Sequence, residues 1–431
     1  MSKDEGARMK EEIFKISSTS RSSSLFSSFR SHLSSFPHVP LAVPYWNGAT
    51  YRAILDCLVR GKIIDGPELG ILQASLLETL GVPAAVLCGS ASLGLEIALR
   101  ALRIGDGDEV IIPTFCCTAV VPPILAVHAV PVLADVGAEL NMTAETAEAA
   151  FSRKTKAIIV PHLFGNPADI GAICDLARGA KIQVIDDAAQ ALGATIDGQA
   201  AGGFGDAGIL SFGREKVCFG LGGGAVVVSD KELASRAASS RLAVPARRKA
   251  LCNLLSTLIW HRWRRWSKPF ERVLSRTRRD APDKPPMPFL KEAMANLNAA
   301  VASSLMVTLQ ENIRARRERV AAYQELLGGQ ERLQFIPHRN GSACLTQVMR
   351  ISPLRRGDDA AARVIEGLGE AGYEVQGSYV PIHLLPGHER CKRGMLAHAE
   401  NVWGDLIELP CEPEVELIHV ERIAAIIKRW L

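Results

Sequence analysis

Residues 84–113, AAVLCGSASLGLEIALRALRIGDGDEVIIP, decide the fold class. AAVLC (84–88) and EVIIP (109–113) are short, mostly apolar runs, whereas ASLGLEIALRAL (91–102) reads as a helix. The first pattern suits strands buried on both faces, and the second a helix packed along one side. Working outward, a second helical run covers 117–127, and PVLADV, KAIIVPH and IQVIDDA follow with helical stretches between them. Strands alternating with helices make βαβ units, so the expected fold is α/β, a mainly parallel sheet flanked by helices. AGILSF and GAVVVSD have only a glycine-rich segment between them, which predicts a local departure from that repeat.

At 431 residues the chain is too long for one simple core and suits two closely joined domains. Nearly half of it is apolar (48%) and 22% is charged, a composition that folds. A net charge of +4 is too small for a typical nucleic-acid binder, and no apolar run approaches the ~18 residues that span a bilayer. Ten scattered cysteines without a CxxC pair read as thiols in a reducing compartment, not as a disulfide framework or a metal site. The expected organisation is a disordered Ser-rich extension at 1–38, a large domain at 39–244, and a basic aromatic insertion at 245–290. A linking helix over 291–328 then opens a small α+β domain that runs to Leu431.

Four local features bear on chemistry. In CGSASLGLEIAL, Ser90 and Ala91 stand where a strand meets a helix; free amides there suit a phosphate, and an ordinary capped helix is the plainer reading. In VIDDAAQALGA, Asp186 and Asp187 end a buried strand, at the edge where open α/β sheets bind ligands. A carboxylate there needs a partner; a pyridinium nitrogen would serve, as would a metal or a helix cap. Lys216 lies on a loop between two strands with glycines on both sides, a setting that suits a nucleophile toward carbonyls as well as a solvated side chain. SYVPIHLLPGH brings Tyr379, His383 and His388 into a proline-punctuated loop.

The ordered set GSASL, GDGDEVIIPTF, PVLADV, KAIIVPHLFGNPADI, VIDDAAQALGATIDG, GGFGDAGILSF…K and LGGGAVVVSD resembles the DegT/DnrJ/EryC1/StrS sugar-aminotransferase family, from about Val43 to the C-terminus. The resemblance implies the aspartate-aminotransferase fold with pyridoxal 5'-phosphate as cofactor. It places the Schiff-base lysine at Lys216, the carboxylate on the pyridine nitrogen at Asp187, and the amide near the ring hydroxyl at Gln190. Ser90, Ala91 and Ser211 would cradle the phosphate, His162 would lie near the cofactor, and Tyr379 and His383 on the substrate side. Two positions depart from the family. Cys117 stands where an aromatic residue usually stacks on the cofactor, leaving Phe115 as the nearest aromatic, and Lys291 replaces an asparagine that reaches the partner subunit's phosphate. The implied enzyme is a cytoplasmic homodimer that moves an amino group from an amino acid, glutamate by analogy, to a keto sugar on a nucleotide. A lipid-linked or cyclitol ketone, or a non-catalytic cofactor-binding regulator, are the alternatives.

The stretch ARRKALCNLLSTLIWHRWRRWSKPFERVLSRTRR departs from its surroundings. If helical, it sets Trp260, Trp263 and Trp266 among Arg262, Arg264, Arg265 and Lys268. It reads either as a flap on the dimer or over the active-site mouth, or as a helix lying on an anionic membrane surface, with contact through 245–279.

Overall fold

The protein, a computed structural model, divides into a unit of Met1–Pro37 and a unit of His38–Leu431. The structure describes Val39 and residues 44–264, 289–354, 359–388 and 391–431, all in the second unit. The Ser-rich extension, the residues from 265 to 288 with Trp266, and the side chains of Trp260 and Trp263 lie outside the described residues.

In chain order the strands are β1 (Ala84–Cys88), β2 (Glu109–Pro113), β3 (Val130–Ala134), β4 (Thr155–Pro161) and β5 (Gln183–Asp187). Then come the small hairpin β6 (Thr195–Ile196) and β7 (Gln199–Ala200), followed by β8 (Ala207–Ser211) and β9 (Gly224–Val228). The last are β10 (Leu333–Phe335), β11 (Thr346–Ile351), β12 (Gln376–Gly377), β13 (Lys392–Arg393) and β14 (Leu406–Pro410). Eight of them form one sheet in the order β1-β9-β8-β5-β4-β2-β3-β13. Every pairing in it is parallel except the two made by β9, which runs against β1 and β8. The close spacing of AGILSF and GAVVVSD has this cause: the chain reverses between them without a crossover helix.

All residues of β2, β8 and β9 are buried, because helices cover both faces. Side chains alternate between faces: Val110 and Ile112 join one core and Ile111 another, while Ile209 and Val226 oppose Leu210 and Val227. The helix α1 (Ala91–Ala101) follows β1, and α2 (Arg247–Arg264) lies within the basic aromatic stretch.

The single helix expected over 291–328 is two helices, α3 (Asn296–Met306) and α4 (Leu309–Leu327). Nearly all of α3 is buried, packed on helices Gly48–Val59 and Glu68–Leu80, whereas α4 buries one stripe and packs on helix Leu417–Trp430. One straight rod cannot serve both cores. The bend falls at Val307 and Thr308, adjacent β-branched residues that tolerate a helix interior less well, with Thr308 out of helical geometry at φ −106° and ψ 15°. Strands β10, β11, β14 and β12 form an antiparallel sheet in that order over a separate apolar core.

Candidate active site

Parallel strands present their carboxyl ends along one edge, where ligands bind in open α/β sheets. Ser90 follows β1, Cys117 follows β2, His162 follows β4, Asp187 ends β5 with Gln190 just beyond, and Ser211 ends β8 on the way to Lys216. The loop bearing Tyr379 and His383 is tied to the same edge, since the Ile382 amide donates to the Thr114 carbonyl at 2.7 Å.

Asp186 and Asp187 alternate across the sheet and meet different surroundings. The Asp186 carboxylate accepts three hydrogen bonds, from His162 Nε2 (2.7 Å), the Gly202 amide (2.7 Å) and the Phe204 amide (3.0 Å). His162 Nδ1 accepts from the Ala168 amide at 2.9 Å, so the ring proton sits on Nε2 and goes to Asp186. His162 therefore braces the strand end with both ring nitrogens. Asp187 accepts only the Ala189 amide, at 3.1 Å on Oδ1, among the described residues. Burial pushes its carboxyl up to about 6, against the opposing pull of the Ala189 amide, Lys216 and His162. A buried carboxylate with so few donors is suited to a cationic partner.

Lys216 is half-buried, and no hydrogen bond or ion pair holds its ammonium among the described residues. A second buried carboxylate in its electrostatic reach, Glu408 on β14, is pushed up to about 7 by burial; Gln376 Nε2 (3.2 Å) and Ser378 Oγ (3.0 Å) donate to it.

Ser90 caps α1, its Oγ accepting from the Leu93 amide at 3.2 Å, which leaves the Ala91 and Ser92 amides with no intrahelical acceptor. The turn is crowded by backbone. A Cβ on Gly224 would lie 2.6 Å from the Ala91 nitrogen, and Gly223 has a φ of +115° that favours glycine. Ser211 Oγ accepts from the Gly213 amide at 3.4 Å. Helix-start amides without an intrahelical acceptor, beside small residues, are suited to a phosphate.

Gln190 is spent on positioning: its Oε1 accepts from the Phe164 amide (2.9 Å) and its Nε2 donates to Tyr379 Oη (2.9 Å). Phe164, at φ +60°, packs on Tyr379 with centroids 5.9 Å apart and planes 27° from parallel. Phe115 is fully buried against both of these rings, so it offers no open face in place of Cys117, which is half-buried at the start of the turn Thr118–Val120. His383, expected on the substrate side, is a tether here: Nε2 donates to Glu400 (2.9 Å) and Nδ1 meets Thr114 Oγ1 (2.7 Å). Lys291 is paired within this chain, its Nζ lying 2.6 Å from the buried Glu96.

The donor set fits pyridoxal phosphate: an under-bonded buried carboxylate for a ring nitrogen, helix-start amides for a phosphate, and a lysine after a strand of the same edge. Fold and site together define a pyridoxal-phosphate-dependent aminotransferase. The chain belongs to the DegT/DnrJ/EryC1/StrS aminotransferase family, whose model matches residues 47–428. It is 45% identical over 181 residues to a UDP-N-acetyl-3-dehydro-alpha-D-glucosamine 3-aminotransferase of Acidithiobacillus ferrooxidans, a match covering 40% of this chain and 49% of that one. It is 26% identical over 408 residues to GDP-perosamine synthase of Caulobacter vibrioides, covering 93% of this chain and all (100%) of that one. The solved aminotransferase TlmJ of Streptoalloteichus hindustanus superposes with a TM-score of 0.73 at 26% identity, covering 91% of this chain and 99% of that one.

Sequence patterns missed several residues of the site. Glu408, Phe164 and the side chains that grip the Lys216 loop (Trp46, Asn298 and Asn312) reach it only through tertiary contact. A hint lay in the buried-strand setting of Glu408, a charged residue within the apolar run LIELP.

Proposed function

We propose that this protein transfers an amino group from glutamate to the carbonyl of a nucleotide-linked keto sugar. The observation that carries the reading is Asp187, buried and under-bonded, on the same strand-end edge as Lys216 and the Ser90 turn. When bound, pyridoxal phosphate supplies an electron sink for the carbanion formed at the donor carbon. Asp187 keeps the ring nitrogen protonated. The amides of Ala91 and Ser92, with Ser90 and Ser211, hold the phosphate. Lys216 would anchor the cofactor, and its Nζ, freed when the donor's amino group displaces it, would take the proton from the donor carbon and later deliver one to the acceptor carbon. Gln190 and Tyr379, fixed to each other, would wall the cofactor's site, with Cys117 at its border. The acceptor class is supported by the relatives, one named for a 3-dehydro sugar on UDP and the other for GDP-perosamine.

Absorption spectroscopy of the full chain with pyridoxal phosphate tests the first half of the reaction. The expected result is a visible band that glutamate abolishes, with 2-oxoglutarate released. A band indifferent to every amino acid would favour a non-catalytic regulator, and amination of a lipid-linked or cyclitol ketone in preference to nucleotide sugars would move the acceptor class.

The reading includes a homodimer, supported by an exposed apolar stripe of Tyr51, Leu55, Leu58 and Val59 on helix Gly48–Val59. Peripheral membrane contact is a second reading, favoured by α2. Leu255, Leu258 and Ile259 are exposed there, and residues 242–270 hold seven Lys and Arg with no acidic residue. No helix among the described residues is long and apolar enough to cross a membrane. Sedimentation with phosphatidylglycerol vesicles at low salt tests the contact; a protein left in the supernatant excludes it.

A further inference from the structure

The loop from Gly213 to Gly223 carries Lys216, and side chains distant in sequence grip its carbonyls. Asn312 Nδ2 donates to the Val217 carbonyl at 3.0 Å, Trp46 Nε1 to that of Phe219 at 2.9 Å, and Asn298 Nδ2 to those of Leu221 and Gly222 at 3.1 Å each. The bond to Val217 lies next to the lysine, and it does not stand alone. Arg316, one helical turn further along α4, donates from Nε to Asn312 Oδ1 at 2.8 Å and from Nη1 to the Leu345 carbonyl at 2.8 Å.

A guanidinium only donates, so Asn312 must turn its oxygen to Arg316 and its NH₂ to Val217. The amide has one orientation, set from behind. Both side chains are buried, Asn312 at 4% and Arg316 at 2% exposure, where an apolar pair of similar size would avoid a desolvation cost. Packing alone does not explain an amide and a cation there, whereas a directional grip on the backbone beside Lys216 does.

We propose that Asn312 and Arg316 are positioning residues for Lys216: Arg316 orients the Asn312 amide, and Asn312 fixes the Val217 carbonyl and so the direction in which the lysine leaves the loop. This rests on the reading of Lys216 as the cofactor's anchor. The bond runs from α4 to the loop and needs no cofactor, so it orders the loop before any cofactor arrives.

The test uses the full chain with Asn312→Asp, which keeps the acceptor for Arg316 but faces the Val217 carbonyl with an oxygen, and with Arg316→Lys, which keeps the charge but not the fork. Hydrogen exchange of residues 213–223 is measured without cofactor, and the rate at which the visible band forms is measured after adding pyridoxal phosphate. Asn312→Asp is expected to speed exchange in this loop and to slow band formation about tenfold, below the ~100-fold that a 1 Å misplacement of a reacting group can cost. Arg316→Lys should fall between it and the parent, and it carries the test if Asn312→Asp does not fold. Unchanged exchange and unchanged band formation, with only a lowered melting temperature, would overturn the proposal. A parent protein that forms no band would instead refute the reading of Lys216, while the exchange result would still judge the grip.

Discussion

The two faces of the central sheet at the end of β5 each hold one carboxylate and treat it in opposite ways. On one face Asp186 is saturated by His162, Gly202 and Phe204. On the other, Asp187 has a single amide donor among the described residues and lies in a region with Lys216 and the Gln190–Tyr379 pair. Adjacent, identical residues thus divide into a brace and a functional group. The difference is the number of donors the fold supplies, because a buried carboxylate short of donors is stable only if something else brings positive charge.

Removing the lysine tests the functional face most severely. Lys216→Ala is expected to lower transamination at least ~1,000-fold, the range of a lost acid–base group, while the melting temperature without cofactor stays close to the parent's. Retained turnover would break the contrast, since Asp187 would then serve no lysine chemistry.

Asp186→Ala should act on stability first. It strands three buried donors, and loss of one partner of a buried charged network costs about 3–5 kcal/mol, so thermal unfolding should show a large drop with or without cofactor. A variant as stable as the parent would mean that the three bonds to Asp186 are not the brace described.

Asp187→Asn should have the opposite sign. Its carboxyl lies at about 6, above the 3.8 of an exposed aspartate, so between pH 4 and 6 the folded chain holds a proton that the unfolded chain has lost. In the cofactor-free parent this contribution lowers stability as pH rises through that window and levels off above it, by about 3 kcal/mol in all. The variant escapes the loss. It should melt higher than the parent at pH 7 and match it near pH 4, while holding cofactor more weakly. Glu408→Gln should show the same sign up to about pH 7, where burial has moved that carboxyl. Melting curves across pH check both.

The smallest effect belongs to Tyr379→Phe, which leaves Gln190 Nε2 without its acceptor at the cost of one hydrogen bond, about 1 kcal/mol. Melting should shift slightly, and the KM for substrate should change more than the melting temperature if Gln190 frames the ring.

The fold was legible because strands buried on both faces read as unbroken apolar runs, and the residues after their carboxyl ends had to gather on one edge. Ser90, Asp187 and Lys216 were singled out in this way, whereas Gln190 and Ser211 entered only through the family resemblance. Which of Asp186 and Asp187 is free was not derivable from the residues alone, since the answer lies in amides at Gly202 and Phe204 that fold back from later in the chain. The resemblance set His162 near the cofactor and His383 on the substrate side; the bonds that both ring nitrogens of each make are visible only in three dimensions. Asn312 grips Val217 across 95 residues of sequence, and no local pattern reports such a contact.

The most direct measurement is borohydride reduction of the full chain loaded with pyridoxal phosphate, followed by peptide mass spectrometry. The predicted result is a phosphopyridoxyl group on Lys216 and, in Lys216→Ala, none at that peptide. The group on another lysine with Lys216 unmodified, or no modification at all, would contradict the central assignment.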